Sequence, residues 1–196
     1  MTTNQRPQPA PGSGPRRKRQ IFDATLRALA RDGFASMTIE GIAEESGVNK
    51  TTIYRWWPSK SALLGAAMID APLLELPMPD TGDLRGDLEQ LVDNLIKLLT
   101  GQPSGSVARA VLGAALGDAG LATYIRDFFA DRLAREQAVV DRAVERGELP
   151  PGTDTMLLMD LLAGAVWLRA VFRRLPLDED FARRTVAAVL DGVRAT

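Results

Sequence analysis

Cysteine and histidine are both absent from this chain of 196 residues. Without cysteine there is no disulfide framework and no thiolate chemistry, so a cytoplasmic location is expected. Without histidine the chain lacks the commonest general base and the commonest metal ligand. Carboxylates or Ser/Lys pairs could still do chemistry, but no spaced constellation of them stands out. No metal site and no cofactor are therefore expected, and an enzyme is the weakest reading. Long apolar runs are also missing. The longest, Met156 to Leu168, is thirteen residues and is interrupted by Asp160, short of the roughly 18 that a membrane span needs. No signal peptide is recognisable, and no membrane partner is expected. No segment shows the alternation of a half-buried strand.

What remains is an ordinary globular composition, 45% hydrophobic and 25% charged, long enough for one large or two small domains. The net charge of −1 conceals an asymmetry. Residues 1–60 carry ten Lys/Arg against five Asp/Glu, and residues 61–196 carry fourteen against twenty. A basic head on an acidic body suits a nucleic-acid-binding module attached to a body with another task.

The basic head centres on Thr38 to Lys60, TIEGIAEESGVNKTTIYRWWPSK. Thr38 can cap a short helix whose Ile39, Ile42 and Ala43 share one face. Gly47 supplies the positive φ of a sharp turn, and Val48 fills the angle behind it. Asn49 can cap a second short helix, which must end near Trp56 because Pro58 drives Trp57 out of the α region. Lys50 sits in the first turn of that helix, opposite the positive end of its dipole, an unfavourable placement of about 0.3–1 kcal/mol. An anion outside the chain would relieve it. Lys60 occupies the same awkward position in the next helix, which Ser59 can cap and which runs to about Ala71 with Leu63, Leu64 and Ala67 inward. The bland alternative for the helix carrying Lys50 is a solvated helix that happens to be basic.

Taken together, a helix followed by T-I-x-x-I-A-x-x-S-G-V-N-K-x-T-I-Y-x-x-W-P-S-K-x-x-L resembles the N-terminal DNA-binding domain of the tetracycline-repressor (TetR) family over about Pro15 to Glu75. Two departures stand out: Trp56-Trp57 replace the family's usual His-Phe, and Ser61 stands where an acid is common. The resemblance implies that Thr38, Tyr54 and Lys60 hold phosphates, and that Lys50, Thr51, Thr52 and Arg55 approach bases. Trp56 would alter how the recognition helix meets the DNA backbone.

The organisation expected is all-α, with about nine helices. Residues 1–14 form a disordered tail rich in Pro, Gly, Ser and Gln. Residues 15–75 form a three-helix helix-turn-helix domain (motif 38–57) with the helix from Lys60 behind it. Residues 76–196 form a helical body for effector binding and dimerisation. The first helix, about Arg16 to Arg31, places Ile21, Phe22, Thr25, Ala28 and Leu29 on one face and stops at Gly33. Arg16 to Arg19 open it as a basic cluster, either solvated or reaching DNA. After a Pro-rich linker, helices are expected at about 83–100, 106–117, 121–147, 154–174 and 178–194. The segment 154–174 is apolar almost all round and should be buried on nearly every side. The last helix has a wide face of small residues that includes Ala188. The family resemblance pairs these two helices with their two-fold mates in a homodimer.

The function implied is a ligand-responsive transcriptional repressor that binds double-stranded DNA at a palindromic operator and is released by a small hydrophobic effector. An architectural DNA-binding protein without an effector is the alternative. Asp160 shares a helical sector with Met156 and Trp167. It is either paired with a neighbouring arginine or serves as a polar handle in an apolar effector pocket.

Overall fold

The computed structural model describes residues 17–192; the expected N-terminal tail and Arg16 lie outside the described residues. Nine α-helices and no strand occur among the described residues. The chain divides into two compact units between Ala71 and Pro72. The expected boundary after Glu75 lies further on, because Pro72–Leu74 forms a single 3-10 turn whose Leu74 is buried.

The first unit contains α1 (Lys18–Ser36), α2 (Ile39–Ser46), α3 (Lys50–Trp56) and α4 (Lys60–Ile69). The apolar stripe of α1, Ile21, Phe22, Thr25, Ala28 and Leu29, is buried as its spacing requires. Its helical path breaks at Gly33, where φ is 73°. Leu63, Leu64 and Ala67 of α4 are fully buried, and α1 packs on both α2 and α4.

The second unit contains α5 (Leu84–Thr100), α6 (Ser104–Gly117), α7 (Ala119–Glu145), α8 (Thr155–Trp167) and α9 (Phe181–Leu190). A π-helical turn, Leu168–Phe172, continues α8. Helix α5 carries the long apolar stripe Leu84, Leu88, Leu91, Val92, Leu95 and Leu99. It packs against α6, α7, α8 and α9 and is the centre of this unit.

Two expectations about the 154–174 segment are corrected. The helix is not buried on nearly every side: Leu158, Met159, Leu162 and Val166 face inward, while Met156, Leu157, Leu161, Leu168 and Phe172 are each about half exposed. The segment has two apolar faces, and a single chain covers one. Its apolar length was also understated. The path Thr155–Phe172 has eighteen residues and a mean hydropathy of 1.6, enough by length and composition to cross a membrane. Two isolated charges, Asp160 and Arg169, do not offset the apolar residues around them.

One polar node ties the start of α5 to the end of α7. Asp87 is completely buried and accepts hydrogen bonds from the Thr81 backbone N–H (2.6 Å) and the Thr81 hydroxyl (2.8 Å). Its second oxygen lies 3.6 Å from Arg146 and 4.0 Å from Arg142. Arg142 also donates to the Pro79 carbonyl, and Glu148, which pairs with Arg146, accepts from the Leu84 N–H. Removing the Asp87 carboxylate would leave the Thr81 N–H without its acceptor, a loss of about 1–3 kcal/mol. Asp87→Ala is expected to lower the unfolding free energy measured in denaturant by that amount, and Asp87→Asn, which keeps one acceptor oxygen, by less. Wild-type stability in the alanine variant would show that the node is not structural.

Candidate nucleic-acid interface

Helix α3 has seven residues, of which Lys50, Thr51, Tyr54 and Arg55 are exposed. Its position is fixed from below and at both ends. Ile53 is fully buried, and Trp57, just past the C-terminus, is 9% exposed with its ring 5.1 Å from that of Phe22 on α1. At the N-terminus the Asn49 side-chain oxygen accepts from the Thr51 N–H at 2.8 Å. At the C-terminus Trp57 leaves the helix at φ −128° and ψ 104°, the extended backbone that Pro58 imposes.

The turn before α3 is equally determined. Gly47 adopts φ 64° and ψ 25°, the left-handed region that a side chain would strain. The Val48 N–H closes the turn on the Ala43 carbonyl at 3.1 Å. Arg17 adds a clamp that the sequence did not announce: its guanidinium donates to the Gly47 carbonyl at 3.1 Å. Thr38 caps α2 by accepting from the Gly41 N–H at 3.1 Å. Helix α2 is held on α1 by Glu45, which accepts from Arg27 at 2.7 Å and from Arg31 at 3.2 Å. The Arg27 hydrogen bond, more than any other contact, holds the Glu45 carboxyl below its ordinary range.

The expected DNA-facing residues fall into two groups. Lys50, Thr51, Tyr54 and Arg55 are exposed on α3, and Thr52 is half-buried beside them. Their donors form one continuous basic and hydroxylic face of the kind that meets phosphates and base edges. Lys50 has an internal neighbour: its ammonium lies 3.5 Å from a Glu40 oxygen, with both side chains well exposed. An exposed pair of this kind contributes about 0–1 kcal/mol. It partly relieves the dipole without closing the ammonium off from an outside anion.

Lys60 and Trp56 differ from expectation. The Lys60 ammonium donates to the Phe34 carbonyl at 2.5 Å and to the Ala35 carbonyl at 3.3 Å, and it lies 4.4 Å from the centre of the Phe34 ring. These carbonyls at the end of α1 supply the negative partner that its awkward position in α4 seemed to require from outside. Trp56 is half-buried, with its indole N–H closed to solvent and without an acceptor among the described residues, and the Arg55 guanidinium lies 5.9 Å from its ring.

The residues expected around an effector in the second unit are not gathered inside it. Asp160 and Met156 are exposed, and Trp167 is half-buried. The burial that singled out Asp160 is absent because it lies on the outward side of α8.

Comparison with known proteins agrees with this geometry. Residues 21–67 match the family described as bacterial regulatory proteins, tetR family, and residues 78–189 match the tetracyclin repressor-like C-terminal domain. The chain is 32% identical to the DNA-binding transcriptional repressor TetR of Mycobacteroides abscessus, covering 90% of this chain and 93% of that one. It is similar in fold to the TetR family transcription regulator SCO0332, with a TM-score of 0.74, 37% identity and coverage of 91% and 99%. The regulator FadR from Bacillus subtilis, solved in complex with stearoyl-CoA, shares the fold at a TM-score of 0.67, 18% identity and coverage of 90% and 99%. The two family matches, over residues 21–67 and 78–189, together with 32% identity over nine-tenths of the chain to a named TetR repressor, place this chain in the TetR family of helix-turn-helix transcriptional regulators.

Proposed function

We propose that the protein is a homodimeric repressor that binds a palindromic operator and is released by a small, largely apolar effector held in its second unit. The observation that carries the DNA reading is the outward face of α3, where Lys50, Thr51, Tyr54 and Arg55 stand exposed on a helix fixed by Ile53 and Trp57. A lysine there can donate to guanine O6 and N7, and a threonine methyl can meet the methyl of thymine. We assign Thr38, through its remaining hydroxyl proton, and Tyr54 to phosphates; Lys50, Thr51 and Thr52, with Arg55, approach bases. Lys60 is assigned to closing the end of α1, and Trp56 to supporting Arg55 from beneath.

The dimer reading rests on the half-exposed apolar residues of α8, Leu157 and Leu161 with Leu168 and Phe172 beyond them. Covering the exposed half of each contributes half of the roughly 1.5–3 kcal/mol that full burial gives, and a second copy of the same face covers them symmetrically. The effector reading is supported by the kinship with regulators of this family. Release of DNA requires an effector that binds the non-operator conformation more tightly, by about 1.4 kcal/mol for each tenfold loss of operator affinity.

Lys50→Ala is expected to weaken operator binding by about 1–3 kcal/mol and to relax base preference at one position per half-site. Equal weakening on all DNA sequences, measured by fluorescence anisotropy, would demote Lys50 to a phosphate contact. Ala188, exposed on α9, is expected to lie in the interface, where an unpaired carboxylate is costly. Ala188→Glu should then sediment as a folded monomer with poor operator affinity. An unchanged dimer would move the interface elsewhere.

A further inference from the structure

Helix α7 carries its buried residues on one stripe: Leu121, Ile125, Arg132, Val139, Val140 and Ala143. Arg132 is the exception in kind. Its side chain is 6% exposed, and Nε, Nη1 and Nη2 are all sealed from solvent without a hydrogen-bond partner. No carboxylate lies within 4.0 Å of it among the described residues. Its guanidinium lies 4.8 Å from the centre of the Phe128 ring, one turn earlier. The half-buried arginines around it are treated differently. Arg135 pairs with Glu75 and Asp131, Arg142 donates to the Pro79 carbonyl, and Arg169 donates to the Pro176 carbonyl.

Native interiors rarely leave a guanidinium in this condition, because burial of an uncompensated charge is costly and arginine does not escape by losing its proton. Burial, more than any neighbouring charge, acts against the charged form of Arg132. Glu136, one turn on, would be the natural partner at i+4, yet no ion pair forms. Burial raises the Glu136 carboxyl above its ordinary value, against the Arg132 charge, which lowers it, and the Asp160 carboxylate adds to the rise. Asp131, Glu75 and Glu136 favour the Arg132 charge from a distance, but none accepts a hydrogen bond from its fork, and a buried guanidinium with its donors unmatched has the chemistry of an anion reader.

We propose that Arg132 is the charge-reading residue of the effector site, and that its ligand is a largely apolar molecule ending in a single carboxylate. One cation neutralises one charge, and the planar fork of a guanidinium matches a carboxylate bidentately. A doubly charged phosphate would also meet Glu136 one turn away. The Phe128 ring and the apolar stripe on either side of Arg132 receive the body of the molecule. Because the nitrogens are sealed, a carboxylate reaches them only when α7 parts from its packing partners. Such a ligand therefore favours the opened arrangement, which is the differential affinity that release requires. This inference rests on the reading that the second unit binds an effector. It replaces Asp160, exposed on α8, with a handle of opposite charge.

The test uses the full chain and a defined series of probes: octanoate, laurate, palmitate and phenylacetate, their methyl esters, and dodecyl phosphate. Binding is followed by tryptophan fluorescence and thermal shift, and DNA release by anisotropy on an operator selected from random sequence. At least one acid is expected to bind and release the operator, with its methyl ester and dodecyl phosphate each about tenfold or more weaker. Arg132→Met, close in volume and uncharged, should keep wild-type operator binding and melt at or above the wild-type temperature while losing the acid response by about tenfold or more. A marked fall in the melting temperature of Arg132→Met would make the guanidinium structural and overturn the proposal. Equal binding of acid and ester, stronger binding of dodecyl phosphate, or no response of the wild type to any acid would overturn the carboxylate assignment. None of these outcomes touches the operator reading, which stands or falls on DNA binding without any ligand.

Discussion

A helix of seven residues does not hold itself in water, where isolated helices shorter than roughly 12–15 residues are marginal. Everything that α3 offers to DNA therefore depends on what packs beneath it. Ile53 fills the underside, and Trp57 anchors the exit against Phe22 of α1. Asn49 satisfies one orphan N–H at the start, and Gly47 sets the angle of entry. With those contacts in place, the side chains on the outer face need not contribute to folding at all. They are free to be Lys, Thr, Tyr and Arg, residues chosen for an external partner.

The second unit applies the opposite economy to its charges. Its buried carboxylate, Asp87, is given hydrogen bonds from Thr81 and two arginines nearby, so its burial is compensated within the chain. Arg132 is given no hydrogen bond among the described residues, only the longer-range pull of Asp131, Glu75 and Glu136. The same unit leaves a row of apolar side chains uncovered along α8. An uncompensated cation inside and an uncovered apolar face outside are two different deficits. In the proposed reading the first is met by an anionic ligand and the second by another copy of the chain.

Much of this was legible in the sequence. The capping residues Thr38, Asn49 and Ser59 each act where the sequence placed them, because a cap is a local interaction between a side chain and an N–H two or three residues on. The all-helical architecture and the turn at Gly47 follow for the same reason: periodicity and backbone sterics act over short distances. The internal partners of Lys60, the carbonyls of Phe34 and Ala35, were not legible because they are distant in sequence. Asp160 was misplaced because a helical wheel with two apolar faces does not say which face a single chain covers. Arg132 could have been found. It occupies the apolar stripe of α7 at helical spacing from Ile125 and Val139, but with Glu136 at i+4 it passes for half of an ordinary surface pair. Only three-dimensional packing shows that the pair does not form.

The central claim is that α3 reads DNA from a two-fold symmetric dimer. Hydroxyl-radical footprinting of the full chain on an operator selected from random sequence tests it most directly. Two protected half-sites, symmetric about a dyad and about 34–36 Å or a multiple of that apart, are the expected result. Protection of a single unsymmetrical site, or uniform protection with no sequence selected, would contradict it.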